Sequence, residues 1–108
     1  MHQRTKMSQI PKKVKDAVWK RDNERCVVCG VWCPSECACC HFIGRGRLGL
    51  GIEQNIITLC AKHHRMLDNG EYGRDQIREY LKGIYPDWNE KDLVYSKWKT
   101  LQSPSKTP

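Results

Sequence analysis

Three of the four histidines lie between Cys39 and His64, in a stretch that also holds cysteines, an asparagine, glycines and two arginines. Thiolates and imidazoles at short spacing bind transition metals. An imidazole left outside such a site can take a proton, and an arginine on a glycine-rich loop can grip a phosphate. The chemistry of the stretch therefore depends on which residues a metal uses and which it leaves over.

A structural zinc site wants four such donors, usually delivered as two close pairs. Cys26-Val27-Val28-Cys29, followed by Gly30, is one pair, and Cys60-Ala61-Lys62-His63 is another with the same two-residue gap. Cys26, Cys29, Cys60 and His63 are accordingly expected to hold a structural Zn2+. The competing assignment replaces one of them with Cys33, Cys37, Cys39 or Cys40. Cys39 and Cys40 adjoin on an expected strand, where successive side chains point to opposite faces, so they are not expected to share an ion. They are read instead, with Cys33 and Cys37, as small buried hydrophobes.

The elements that must carry these residues follow from periodicity. Residues 1–9 read as a flexible basic tail, 10–98 as one domain, and 99–108, rich in Lys, Ser, Thr and Pro, as a second tail. Ile10, Val14, Ala17 and Val18 fall at helical spacing behind Pro11, predicting a helix that ends near Asp22 and Asn23. Ser35 to Ile43, bounded by Pro34 and Gly44, reads as a first strand. Gly44 to Gln54, with four glycines and two arginines, reads as a loop. The β-branched run from Ile56 to Leu59 predicts a second strand. A helix is expected from Cys60 to about Leu67, stopped by Asn69-Gly70. Another follows over Arg74 to Ile84 with Ile77, Tyr80, Leu81 and Ile84 on one face, and a last short one over Glu90 to Trp98. The class is small α+β.

At 108 residues with one Phe, a core is marginal alone, and such chains usually add disulfides or a metal. Seven cysteines, an odd count, and no apolar run at the N-terminus argue against a secreted disulfide scaffold. No segment is long and apolar enough to span a membrane, so an intracellular, cytoplasmic setting is expected. The formal charge of +7 points to a polyanionic partner.

The order Cys-x-x-Cys, His41, then Asn55-Ile-Ile-Thr-Leu-Cys-x-x-His-His64 resembles the HNH endonucleases, and in particular their small zinc-stabilised members from phages and prophages. The likeness is most specific from Cys26 to Asp68 and looser at Tyr85-Pro86-Asp87-Trp88 and Trp98. It implies a ββα-metal (His-Me finger) core with a zinc knuckle and flanking N- and C-terminal helices. It also implies a divalent-metal-dependent DNA endonuclease or nickase that leaves a 3′ hydroxyl and a 5′ phosphate. The catalytic positions carried over are His41 as general base, Asn55 as the amide that fixes the base-bearing segment, and His64 as a ligand of the catalytic metal.

The residue types suit these roles. An imidazole near its reference pKa of about 6.5 can deprotonate water at neutral pH, and a cation offsets charge on the phosphate and the leaving oxygen. Asp68, at i+4 from His64, shares its helix face and is expected as a second ligand of that cation, which could be Mg2+, Mn2+, Ni2+ or Zn2+. The departure from the family pattern is Cys40, where many members carry a metal-binding Asp or His, and a thiolate is a poor ligand for Mg2+.

DNA contact is expected from Arg45 and Arg47 on the loop and from Lys62 and Arg65 flanking the metal histidines. Nothing reads as a base-reading element, so little intrinsic sequence specificity is expected. The resemblance further implies a partner in the phage packaging (terminase) machinery. The alternative is a zinc-stabilised nucleic-acid-binding module without catalysis, and a purely structural zinc-knuckle adaptor would leave His41, Asn55 and His64 unexplained.

Overall fold

The computed structural model describes residues 9–70 and 73–95. Helix α1 runs Lys12–Arg21, with the extended Pro11 at its N-cap, and ends where Asp22 and Asn23 leave helical geometry. The two strands are β1, Cys40–His41, and β2, Ile56–Ile57, antiparallel with Cys40 opposite Ile57 and His41 opposite Ile56. Helix α2, Ala61–Asp68, starts directly after Cys60, and α3 spans Arg74–Ile84. The described residues thus form a small α+β fold with three α-helices and one two-stranded sheet. None of these helices is long and apolar enough to cross a membrane.

Both strands are far shorter than their sequence runs, because side chains take over where the ladder would continue. Beyond His41, the N–H of Phe42 still reaches the Asn55 carbonyl, but the N–H of Ile43 donates to the Asn55 side-chain oxygen instead. Beyond Ile57, the N–H of Thr58 donates to the Asp22 carboxylate, and the Thr58 carbonyl accepts from Val27. At the other end, Ser35–Cys37 is a turn of 3-10 helix, closed by the Cys37 N–H on Pro34, where a strand was expected from Ser35.

The loop from Gly44 to Gln54 is equally constrained. It contains 3-10 turns at Arg45–Arg47 and Glu53–Asn55, and its middle is tied to the C-terminal segment by Leu50 to Leu93 and Tyr95 to Leu48 backbone bonds. A Cβ at Gly49 would stand 1.7 Å from the Ile43 carbonyl oxygen, so only glycine lets the loop close on its own start. The helix expected over Glu90 to Trp98 is a 3-10 turn at Glu90–Leu93, after which Val94 pairs with Gly49. Trp98 lies outside the described residues.

A sheet of two residues per strand has no stability of its own, so packing must hold it. Ile56 faces α1, clustering with Val18 and Ala38, while Ile57 packs on the other side among Phe42, Leu59, Leu67, Ile77 and Leu81. All of these are buried. Arg21 and Asp22 lock the layers together. Arg21 donates to Asp22 and to the carbonyls of Glu53 and Ile56, and Tyr80 of α3 donates to Asp22 at 2.5 Å.

Removing a partner from such a buried ion pair strands the other charge, at a cost of about 3–5 kcal/mol. Asp22→Ala leaves the Arg21 guanidinium without its charge partner, and the Thr58 N–H and Tyr80 hydroxyl without their acceptor. It is expected to lower unfolding free energy by about 4 kcal/mol in a denaturant titration. A loss below about 1 kcal/mol would show that this carboxylate is not a keystone.

Candidate metal centre and cleft

The first centre is built by two tight turns. Gly30, at a φ of 79°, lets the chain reverse after Cys29, and its N–H bonds the Cys26 carbonyl while Arg25 bridges Trp32 across the hairpin. The Val27–Thr58 backbone bond carries this hairpin to the end of β2, beside Cys60 and the first turn of α2. Cys26, Cys29, Cys60 and His63 are thereby brought together, with all four donor atoms within 4.8 Å of one another.

Tetrahedral zinc requires about 3.8 Å between two thiolates and about 3.6 Å between thiolate and imidazole. Cys29 Sγ and Cys60 Sγ are 3.9 Å apart, and His63 Nδ1 is 3.3 Å from Cys60 Sγ and 3.8 Å from Cys26 Sγ. The donor set and its spacing fit a metal ion. Burial opposes ionisation of Cys26, but backbone N–H groups of Cys29, Cys60 and Val28 outweigh it and hold its thiol below the ordinary range. Stabilised thiolates are what a metal binds.

The second region lies one residue further along α2. Residues on a helix are rotated about 100° per position, so His63 meets the cysteines while His64 turns into a neighbouring cleft. That cleft, of about 540 Å³, is lined by His41, His64, Asp68, Arg45, Lys15 and Cys39, among others. His64 Nε2 is 3.3 Å from Asp68 Oδ2. A second groove of about 340 Å³ shares His41 and Asp68 and adds Arg47 and Arg74. His41, at the end of β1, thus borders both.

Asn55 is fully buried behind His41. Its side-chain oxygen accepts from the Ile43 N–H at 2.8 Å, and its amide donates to the carbonyls of Ile43 at 3.1 Å and Leu50 at 2.8 Å. The two ends of the glycine-rich loop are therefore pinned by one side chain. Arg74 adds a clamp from outside, donating to the Phe42 carbonyl and stacking 4.3 Å over the Phe42 ring.

Sequence reasoning placed His41, Asn55, His64, Asp68, Arg45 and Arg47 in one neighbourhood, and they are neighbours. Lys62 and Arg65 are exposed on α2 but line neither groove. The expectation that Cys39 and Cys40 face apart is overturned: their sulfurs and a His64 ring nitrogen lie within 4.8 Å of one another. The physical reason is that β1 begins only at Cys40, so strand alternation does not reach Cys39. A hydrogen bond from Cys40 pulls the Cys39 thiol down to about 6, against burial and with help from His64 and Lys15, while the Cys40 thiol is pushed up.

Nothing in the sequence marks Lys15 or Arg74 as a site residue. Lys15 is one lysine among several around the polar side of α1, and Arg74 looks like an ordinary first-turn residue of α3. Only tertiary packing brings them to the cleft. No protein-family model, curated protein or solved structure matches the chain. What the fold and the site define is thus a small α+β protein with a Cys3His cluster able to bind a metal.

Two outcomes follow. Cys29→Ser, at the most exposed of the four donors, should weaken binding of one metal ion per chain and lower Tm markedly, because structural zinc in small domains is worth about 10 kcal/mol or more; unchanged Tm on chelation would show that the cluster does not stabilise the fold. Asn55→Asp keeps the acceptor for Ile43 but removes both donors and buries a charge. It should cost about 3 kcal/mol by urea unfolding, whereas a neutral result would mean the amide clamp is dispensable.

Proposed function

We propose that this protein is a metal-dependent HNH-type DNA endonuclease or nickase with a ββα-metal core formed by β1, β2 and α2. The observation that carries the reading is that His41 and His64 line one basic cleft while the Asn55 side chain clamps the segment immediately after His41. The resemblance in residue order supports the same assignment.

In this reading His41 takes a proton from the attacking water as its oxygen bonds to phosphorus. The bond from phosphorus to the 3′ oxygen breaks, leaving a 3′ hydroxyl, protonated from solvent, and a 5′ phosphate. Asn55 keeps His41 in place by fixing the backbone on both sides of the loop. His64, with Asp68 beside it, would hold a divalent cation whose charge would offset the phosphate and the leaving oxygen. Lys15 and Arg45 line one groove and Arg47 and Arg74 the other, so a phosphodiester backbone crossing His41 meets cations on both sides. Lys62 and Arg65 add positive surface outside the grooves. Cys26, Cys29, Cys60 and His63 would hold a structural Zn2+, anchoring α2 and hence His64.

A second reading, a nucleic-acid-binding module without catalysis, is favoured by Cys40. It is 1% exposed and occupies the position where a hard-metal ligand would stand.

The test is nicking of supercoiled plasmid with Mg2+, Mn2+, Ni2+ or Zn2+. Wild type should convert plasmid to the open circle, and His41→Ala should be slower by about 10²- to 10⁴-fold, the usual contribution of a general base. Binding without nicking in any of the ions would favour the module. Undiminished nicking by His41→Ala would remove His41 as the base.

A further inference from the structure

Cys39, Cys40 and His64 offer two sulfurs and one imidazole nitrogen mutually within 4.8 Å, and they do so with no contribution from the Cys3His cluster. Cys40 is buried and Cys39 half-buried, and Cys39 and His64 both line the cleft. The Asp68 carboxylate is not one of the converging atoms. It stands 3.3 Å from His64 Nε2, close enough to fix the ring's orientation.

We propose that Cys39, Cys40 and His64 form a second metal site, selective for thiophilic divalent ions of the Zn2+, Co2+ and Cd2+ class over Mg2+, and opening into the cleft beside His41. Soft sulfur donors select such ions, whereas Mg2+ demands oxygen ligands in near-octahedral array. Three protein donors leave a fourth tetrahedral position, the arrangement of zinc sites that remain accessible to a further ligand. The open side faces the cleft that Lys15 and Arg45 make attractive to an anion. The site deepens the proposed function by naming the ion at His64, and it rests on that reading only for its catalytic use. Metal binding itself is measurable without DNA.

The experiment is titration of the purified, metal-stripped chain with Co2+, which refolds it as the first site fills, followed by near-ultraviolet sulfur-to-cobalt absorption and by elemental analysis after Zn2+ loading. Two ions per chain are expected. Cys39→Ser should weaken the second ion at least about tenfold while leaving the first, and Asp68→Asn should weaken it about 10- to 100-fold. Because Cys40 is buried and its replacement can disturb folding, Cys39→Ser and His64→Gln are the deciding variants, with the first-site cobalt spectrum as the check on the fold. One ion per chain in wild type would overturn the site. So would unchanged two-ion binding in Cys39→Ser and His64→Gln, or displacement of the second Co2+ by a thousandfold excess of Mg2+. Two ions per chain with no nicking would support the site and sink the nuclease reading, so the two failures are separable.

Discussion

The Asp22 carboxylate is the constraint on which the rest of the molecule depends. It ends α1, accepts from Tyr80 of α3, pairs with the neighbouring Arg21, and takes the Thr58 N–H that β2 no longer gives to a strand partner. Through the Thr58 carbonyl, which accepts from Val27, its influence reaches the hairpin that presents Cys26 and Cys29. Arg21 extends it the other way, to the carbonyls of Glu53 and Ile56 that flank Asn55. Three segments distant in sequence, around residues 21–27, 53–58 and Tyr80, are held in register by one ion pair, and both the metal cluster and the His41 clamp inherit their geometry from it. A fold with only four strand residues among those described needs such a hub, since neither hydrogen-bonded ladder nor core is large.

What could be read from the sequence were the features set by local spacing. The two x-x pairs of the Cys3His cluster each lie within one turn, and α1, α2 and α3 carry clear helical stripes, so both emerge from the chain without knowledge of its packing. Asn55 was legible through the order of its neighbours, and its three bonds are those expected of an amide spanning a loop. The strands are shorter than their sequence runs because Asn55 and Asp22 substitute for ladder partners, which nothing local reveals. Cys39 departs from strand alternation for the same reason: β1 begins only at Cys40, so its side chain need not face away from that of its neighbour. Lys15 and Arg74 reach the cleft by tertiary packing, which periodicity does not encode.

The juxtaposition of His63 and His64 couples two kinds of demand on one short helix. His63 closes the cluster against Cys60 and Cys26, while His64 contacts Asp68 in the adjoining cleft. A helix of eight residues contributes little stability alone, so its anchorage at Cys60 and His63 determines where His64 stands. Positional precision at the cleft is thereby borrowed from the cluster, not from the loop that carries the arginines.

That loop is itself divided. A side chain added at Gly44 or Gly46 would meet open space, whereas one at Gly49 or Gly51 would collide with the backbone of Ile43 or Gln9. Evolutionary exploration is therefore free in the half that brackets Arg45 and closed in the half that returns to Asn55. New surface chemistry at the mouth of the cleft can be acquired by drift at the two glycines on either side of Arg45 without disturbing the close backbone approaches at Gly49 and Gly51.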